Sequence, residues 1–239
     1  MPHRSPRSAT PMSLLAPLLA LFALLLAVTG CSSGPTAPPL PAAPDLLAKS
    51  ASAMAAVRTV TIDVQVDPAL NTIPVRAANG KLTATGDAIG TATLNQGTSS
   101  VEFNFVITQG TLYLKGATGR YQRLPLALAA AIYDPTALLS PDRGIAALLR
   151  SAHNGTTEAS EDVNGVPAYR VKAGLDPNLV SAVVPGLSGA STGTVWIEQA
   201  TSRLLKAQIE VPNPAGGAPA PVTVTLSDFN APVTVTPPS

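Results

Sequence analysis

Ser100-Val101-Glu102-Phe103-Asn104-Phe105-Val106-Ile107 decides how this chain folds. Val101, Phe103, Phe105 and Ile107 fall on one face of an extended strand, while Glu102 and Asn104 fall on the other. That two-residue period belongs to a strand with one side against a core and the other against water. Working outward, the same alternation covers residues 60–66, 81–85 and 90–95 upstream, with Asn79-Gly80 read as a hairpin turn. Downstream it covers 111–114 and 120–124. It returns at 156–163 after the turn signal Asn154-Gly155, turns at Asn164-Gly165, and continues over 167–173, 194–199, 204–211 and 221–227. Spacings this short imply antiparallel neighbours.

Helical periodicity appears in three places. Over residues 45–57, Leu46, Leu47, Ser50, Met54 and Val57 lie on roughly one side, and Pro44 and Asp45 are start signals. Between 125 and 152 two short pieces, 136–139 and 143–152, follow the N-cap candidates Asp134-Pro135 and Ser140-Pro141-Asp142. The apolar residues of this stretch, Ile132, Leu138, Leu139, Ile145, Leu148 and Leu149, are expected to face the sheet. A third helix starting near Asp176-Pro177 carries Leu179, Val180, Val183 and Val184. The order predicts an α+β fold in which one large, strongly bent antiparallel sheet has its helices grouped on one side, rather than a doubly wound fold.

The composition narrows what such a fold encloses. Only 12% of the residues are charged and 4% aromatic, while Ala, Val, Leu and Thr abound. An interior built from small aliphatic side chains suits a smooth-walled cavity.

The N-terminus reads as an export signal. His3, Arg4 and Arg7 precede an apolar run at residues 14–28, roughly 15 residues and short of the ~20 that a helical bilayer span needs. The run ends in Val28-Thr29-Gly30-Cys31, which matches the lipobox of bacterial lipoproteins. That pattern predicts removal of residues 1–30 and lipidation of Cys31, the only cysteine. Residues 31–44 hold five prolines and read as an extended tether, leaving 45–239 as one domain. Without Arg4 and Arg7 the mature chain has 13 basic and 14 acidic residues, so no basic face invites nucleic acid.

Residues for catalysis are sparse. The mature chain has one histidine, His153, expected to be a solvated residue at a helix end. Gly186-Leu187-Ser188-Gly189-Ala190 has Ala190 where a serine elbow needs its last glycine, so Ser188 is not expected to be a nucleophile. Glu158, Glu161 and Asp162 lack histidine or cysteine company and read as a wet strand face rather than a metal site. Asn154-Gly155-Thr156 fits an acceptor sequon but reads as a turn. Neither a cofactor nor an enzymatic activity is expected.

The lipobox and tether are joined by a series of phrases: Leu112-Tyr113-Leu114, Ile132-Tyr133-Asp134-Pro135, Leu139-Ser140-Pro141-Asp142-Arg143-Gly144, Val163-Asn164-Gly165, Val195-Trp196-Ile197 and Val233-Thr234-Val235-Thr236. In this order, across almost all of the domain, they resemble the mycobacterial LppX/LprAFG lipoprotein family. The resemblance implies an antiparallel half-barrel, similar to the LolA/LolB carriers, with helices on its concave side and an apolar cavity between. It further implies a carrier of multi-acylated lipids such as triacylglycerol, acylated phosphatidylinositol mannosides or lipoarabinomannan. Such a carrier works alongside a major-facilitator exporter, held by its acyl anchor on the outer face of the cell membrane. Combined with the alternation, it makes Ala84, Ala92, Val101, Phe103, Phe105, Ile107, Leu112, Leu114, Ile132, Leu138, Leu139, Ile145, Leu148 and Leu149 the candidate cavity wall. A surface scaffold with a filled core is the competing expectation.

Overall fold

A computed structural model describes residues 39–71, 73–96, 99–116, 119–129, 135–183, 187, 192–213 and 216–239. The elements in chain order are α1 (Ala43–Ala55), β1 (Thr59–Val66), β2 (Val75–Thr83), β3 (Ala88–Gln96), β4 (Ser99–Thr108), β5 (Thr111–Lys115) and β6 (Tyr121–Pro125). There follow α2 (Leu126–Ala129), α3 (Pro135–Leu138), α4 (Ile145–Ser151), β7 (His153–Val163), β8 (Val166–Gly174), α5 (Pro177–Val183), β9 (Thr192–Glu198), β10 (Leu204–Val211) and β11 (Ala220–Ser227). Cys31, the export signal and most of the tether lie outside the described residues, as do Ile132 and Ser188.

The strands form one open sheet in the order β6-β5-β4-β3-β2-β1-β11-β10-β9-β8-β7, every neighbouring pair antiparallel. The last strand pairs with the first, so each half of the chain is a meander leading out to one edge. Consecutive strands β6 and β7 end at opposite edges, and the segment joining them carries α2, α3 and α4.

Why the sheet bends follows from the core. One apolar cluster draws residues from eight neighbouring strands, from Ile107 on β4 to Val171 and Ala173 on β8, together with Leu46, Leu47 and Met54 of α1 and Ile145 and Leu149 of α4. Laid flat at about 4.8 Å per strand, eight strands span about 34 Å. A helix with its side chains is only about 10–12 Å across. The sheet meets one cluster at both ends only by curling around the helices, which makes the expected half-barrel. A second cluster at one end joins Leu148 of α4 and Val180 of α5 to Val66, Ile209 and Val222 of the sheet.

Two expected turns are something else. Asn79-Gly80 lies inside β2, and the chain reverses instead at residues 84–87, where the Thr83 N–H donates to the Asp87 carbonyl. Gly80 serves a close approach: a Cβ there would sit 2.7 Å from the Ile89 carbonyl oxygen and 3.2 Å from the Phe105 ring. Asn154-Gly155 lies within β7, where the register with β8 shifts and a Cβ on Gly155 would come within 3.1 Å of Leu47 on α1. Only Asn164-Gly165 turns as expected, with φ of 52° and 83°, the pair of positive values that a type I′ hairpin needs.

The helix starts differ in detail. α1 begins at Ala43, two residues early, and the Thr157 hydroxyl donates to the Pro41 carbonyl beside it. α4 begins after Gly144 rather than at Ser140-Pro141-Asp142, which form the preceding turn through Gly144 N–H donating to the Ser140 carbonyl. Glycine is required there because a Cβ would lie 2.2 Å from the Leu138 carbonyl oxygen.

Candidate functional site

The strand pairing sets the predicted wall residues in rows on the helix-facing side. Phe103 stands opposite Ala92, Val101 opposite Leu94, Phe105 opposite Gly90 and Leu114, and Ile107 opposite Ala88 and Leu112. Burial falls along β4. Ile107 is 7% exposed and belongs to the main core; Phe105 and Leu112 pack half-buried against it. Beyond them Phe103, Val101, Ala92 and Leu114 are half-buried and belong to none of the core clusters. The row therefore runs from packed interior to an apolar surface without changing face. The Phe103 ring lies over Gly116, where a Cβ would come within 2.9 Å of it.

The helical residues form the other wall. Leu138, Leu139, Ile145 and Leu149 are buried in the main core, and Leu148 in the second. Ile145, Leu148 and Leu149 line an apolar pocket of about 30 Å³ against β9, β10 and β11, with Leu175, Val195, Ile209 and Val224 among the other walls. Among the described residues no charged side chain lines it. It is small beside the ~300–1,000 Å³ common for sites that hold drug-sized ligands.

On the outer face a shallow groove of about 390 Å³ lies between β1–β3 and the C-terminal residues Pro232, Val233 and Thr234. Thr61, Asn79, Lys81 and Thr91 line it together with the exposed Ile89 and with Val233, a wall of mixed polar and apolar character.

His153 is exposed at the start of β7, its Nδ1 3.4 Å from the Ser151 carbonyl at the end of α4. Glu158 and Glu161 both accept from Arg170, at 3.1 and 2.9 Å, and Glu161 also accepts from the Trp196 indole N–H. Among the described residues no group of three or more His, Cys, Asp or Glu is arranged to hold a metal.

Residues 42–235 match the model of the LppX_LprAFG lipoprotein family. The chain belongs to that family. Among LppX_LprAFG relatives, the lipoarabinomannan carrier protein LprG of Mycolicibacterium smegmatis is 36% identical over 230 residues, 93% of this chain and 94% of that protein. The crystal structure of LprF from Mycobacterium bovis superposes with a TM-score of 0.73 at 27% identity, covering 84% of this chain and 99% of the other. The crystal structure of Mycobacterium tuberculosis LppX gives 0.58 at 21% identity, over 81% and 99% of the two chains, and so supports the fold. These relatives are carriers and lipoproteins, and no catalytic family is among them.

Within the LppX_LprAFG fold the predicted wall thus divides. Phe105, Ile107, Leu112, Leu138, Leu139, Ile145, Leu148 and Leu149 are brought around the cores, whereas Ala92, Val101, Phe103 and Leu114 extend the face outward. Ala84 lies in the β2–β3 turn rather than on a strand; it packs against the main core and its N–H donates to the Arg58 carbonyl. Leu94 and Ala78 complete the outward row, and the predicted wall omits them. The alternation Ala92-Thr93-Leu94 carried the signal for Leu94. For Ala78 the sequence hid it, because Asn79-Gly80 imitates a turn.

Proposed function

We propose that this LppX_LprAFG protein is a membrane-anchored, non-catalytic carrier that holds multi-acylated lipid between the helix-facing side of β3–β5 and the α4 wall. Residues 1–30 are an export signal, Cys31 carries the acyl anchor, 31–44 are the tether, and 45–239 bind the cargo on the outer face of the cell membrane. The observation that carries this reading is the apolar row that continues from Ile107 through Phe105 to a half-exposed Phe103. Each buried CH₂ contributes about 0.8 kcal/mol, so a 16-carbon chain gains on the order of 10 kcal/mol before ordering costs and the contacts it displaces. The pocket beside α4 is about 30 Å³, so only a chain that extends beyond the β3–β5 row into it has to part α4 from β9 and β10.

The cargo is a lipid such as triacylglycerol or an acylated phosphatidylinositol mannoside. A relative that carries lipoarabinomannan supports an acylated glycolipid. A major-facilitator exporter is the expected membrane partner. The second reading, a surface scaffold with a filled core, draws on the small size of the same pocket.

The test is native mass spectrometry of the protein purified from an actinobacterial host, followed by lipid extraction. Near-equal stoichiometry of co-purified multi-acyl lipid supports the carrier and identifies the cargo. A protein that emerges clean and refuses added lipid supports the scaffold. In the same host Cys31→Ser is expected to remove the acyl mass and release the protein from the membrane fraction.

A further inference from the structure

The two edges of the sheet differ in charge. Along edge strand β7 stand Glu158, Glu161 and Asp162, with no lysine or arginine. At the other edge, residues 111–125 of β5, β6 and their connection hold Lys115, Arg120 and Arg123 and no acid. β6 pairs only with β5, and apart from the half-buried Tyr121 its residues are exposed. Two cations are held in place on the outer face across the β5–β6 pair: Lys115 of β5 lies over the Tyr121 ring at 5.7 Å and Arg123 of β6 over the Tyr113 ring at 5.6 Å. On the opposite face of the same strand, Leu124 is 37% exposed, directly across from Leu112 of the wall.

We propose that the β5–β6 edge is a membrane-docking surface that recognises an anionic phospholipid bilayer, an inference that rests on the carrier reading. Lys115 of β5 and Arg123 of β6 beside tyrosine rings on the outer face, Arg120 in the connection between the two strands, and an exposed leucine on the opposite face match the boundary between headgroups and acyl chains. Phenol rings favour that boundary, and each cation near an anionic surface strengthens adsorption about fivefold. The β7 edge, where Arg170 of β8 pairs with Glu158 and Glu161, offers no such excess of cations, which favours docking through β5–β6. Docking in this way sets Leu112, Leu114 and the exposed end of the apolar row next to the bilayer from which a chain must enter. Such an edge also needs no partner strand: its cations discourage pairing with another sheet.

The experiment uses the full acylated protein anchored in neutral phosphatidylcholine vesicles and measures capture of a second vesicle population. Vesicles of phosphatidylcholine with phosphatidylglycerol are expected to be captured, and pure phosphatidylcholine vesicles are not. Capture should weaken as salt rises. The triple substitution Lys115→Gln, Arg120→Gln and Arg123→Gln should lower capture about 100-fold, three cations at about fivefold each. A control with the same charge change elsewhere, Lys49→Gln, Arg58→Gln and Lys172→Gln, should keep most of it. Equal capture of neutral vesicles, or equal loss in both triples, overturns the docking surface. Loading of a fluorescent acyl lipid from detergent micelles is measured on the same proteins. Normal loading by the triple variant shows it folded and leaves carriage standing whatever the capture result, whereas failure of the unaltered protein to load overturns the carrier reading instead.

Discussion

Gly80 and Gly90 stand directly opposite each other on β2 and β3, so close that a Cβ added to Gly90 would lie 2.6 Å from the Gly80 Cα and 2.1 Å from the Asn79 carbonyl oxygen. Phe105 continues the row on β4, covering backbone that has no side chains of its own. Glycines in a strand interior weaken it, and an aromatic neighbour compensates by lying over the bare backbone. Gly90→Ala is therefore expected to destabilise the protein by about 3 kcal/mol, the upper end for overpacking, because the obstacle is backbone. Urea denaturation reads it as a lower midpoint at unchanged slope. A midpoint equal to that of the unaltered protein would show that the two strands can separate freely.

A second contact ties α1 to the sheet. The Leu204 N–H, at the register shift between β9 and β10, donates to the Met54 Sδ at 3.4 Å, and Met54 is 2% exposed. Met54→Leu conserves volume, and such swaps cost under about 1.5 kcal/mol when packing alone is involved. Here the change also leaves a buried N–H without a partner, which adds about 1–3 kcal/mol. The expected total is about 2–3 kcal/mol in a chemical melt. A loss below about 1 kcal/mol would mean the sulfur is only filling space.

Most of the fold was legible because alternation reports which face of a strand is apolar, and the segments where the sequence shows it overlap all eleven strands. The three Asn-Gly pairs mark the limit. Asn164-Gly165 turns, Asn154-Gly155 lies at a register shift, and Asn79-Gly80 runs straight through a strand. The dipeptide permits a positive φ but equally permits a close approach by a neighbouring chain, and which one occurs depends on residues far away such as Phe105 and Leu47. The candidate site was half legible for a related reason. Phe103 and Ile107 share a face and look equivalent, yet Ile107 lies under the helices and Phe103 beyond their reach. Periodicity assigns the face, whereas only the placement of α1 and α4 decides which part of it is covered.

On the outer face the Trp196 indole donates to Glu161, Lys206 lies 4.4 Å from the Trp196 ring centroid, and Arg170 bridges Glu161 and Glu158. The Arg170 and glutamate side chains are about a third exposed, so the ion pairs themselves contribute little, on the order of 0–1 kcal/mol. The indole bond is different, since Trp196 is 7% exposed and its N–H loses its acceptor if Glu161 goes. Glu161→Ala is expected to cost about 1–3 kcal/mol, and Glu158→Ala no more than about 1. Thermal melts of the two variants side by side check this. Equal losses would locate the energy in the ion pairs.

The two alanines of the predicted wall, Ala84 and Ala92, separate a lipid site from a packed core. Ala92 lies between Ala78 and Phe103 on the helix-facing side, half-buried and outside the core clusters, so a larger side chain has room to stand upright there. Ala92→Trp should fill the face that the acyl chain needs while changing stability by less than about 1 kcal/mol, in keeping with a site away from the packed interior. Ala84 sits in the β2–β3 turn with its methyl against the main core, and there tryptophan overpacks at a cost of about 1–3 kcal/mol. Uptake of a fluorescent acyl lipid per folded molecule should accordingly fall more than about tenfold in Ala92→Trp and stay near normal in Ala84→Trp. The melting temperature should move in the opposite pattern. Full loading by a folded Ala92→Trp protein would place the acyl chain elsewhere, with the α4 pocket against β9 and β10 the next surface to block.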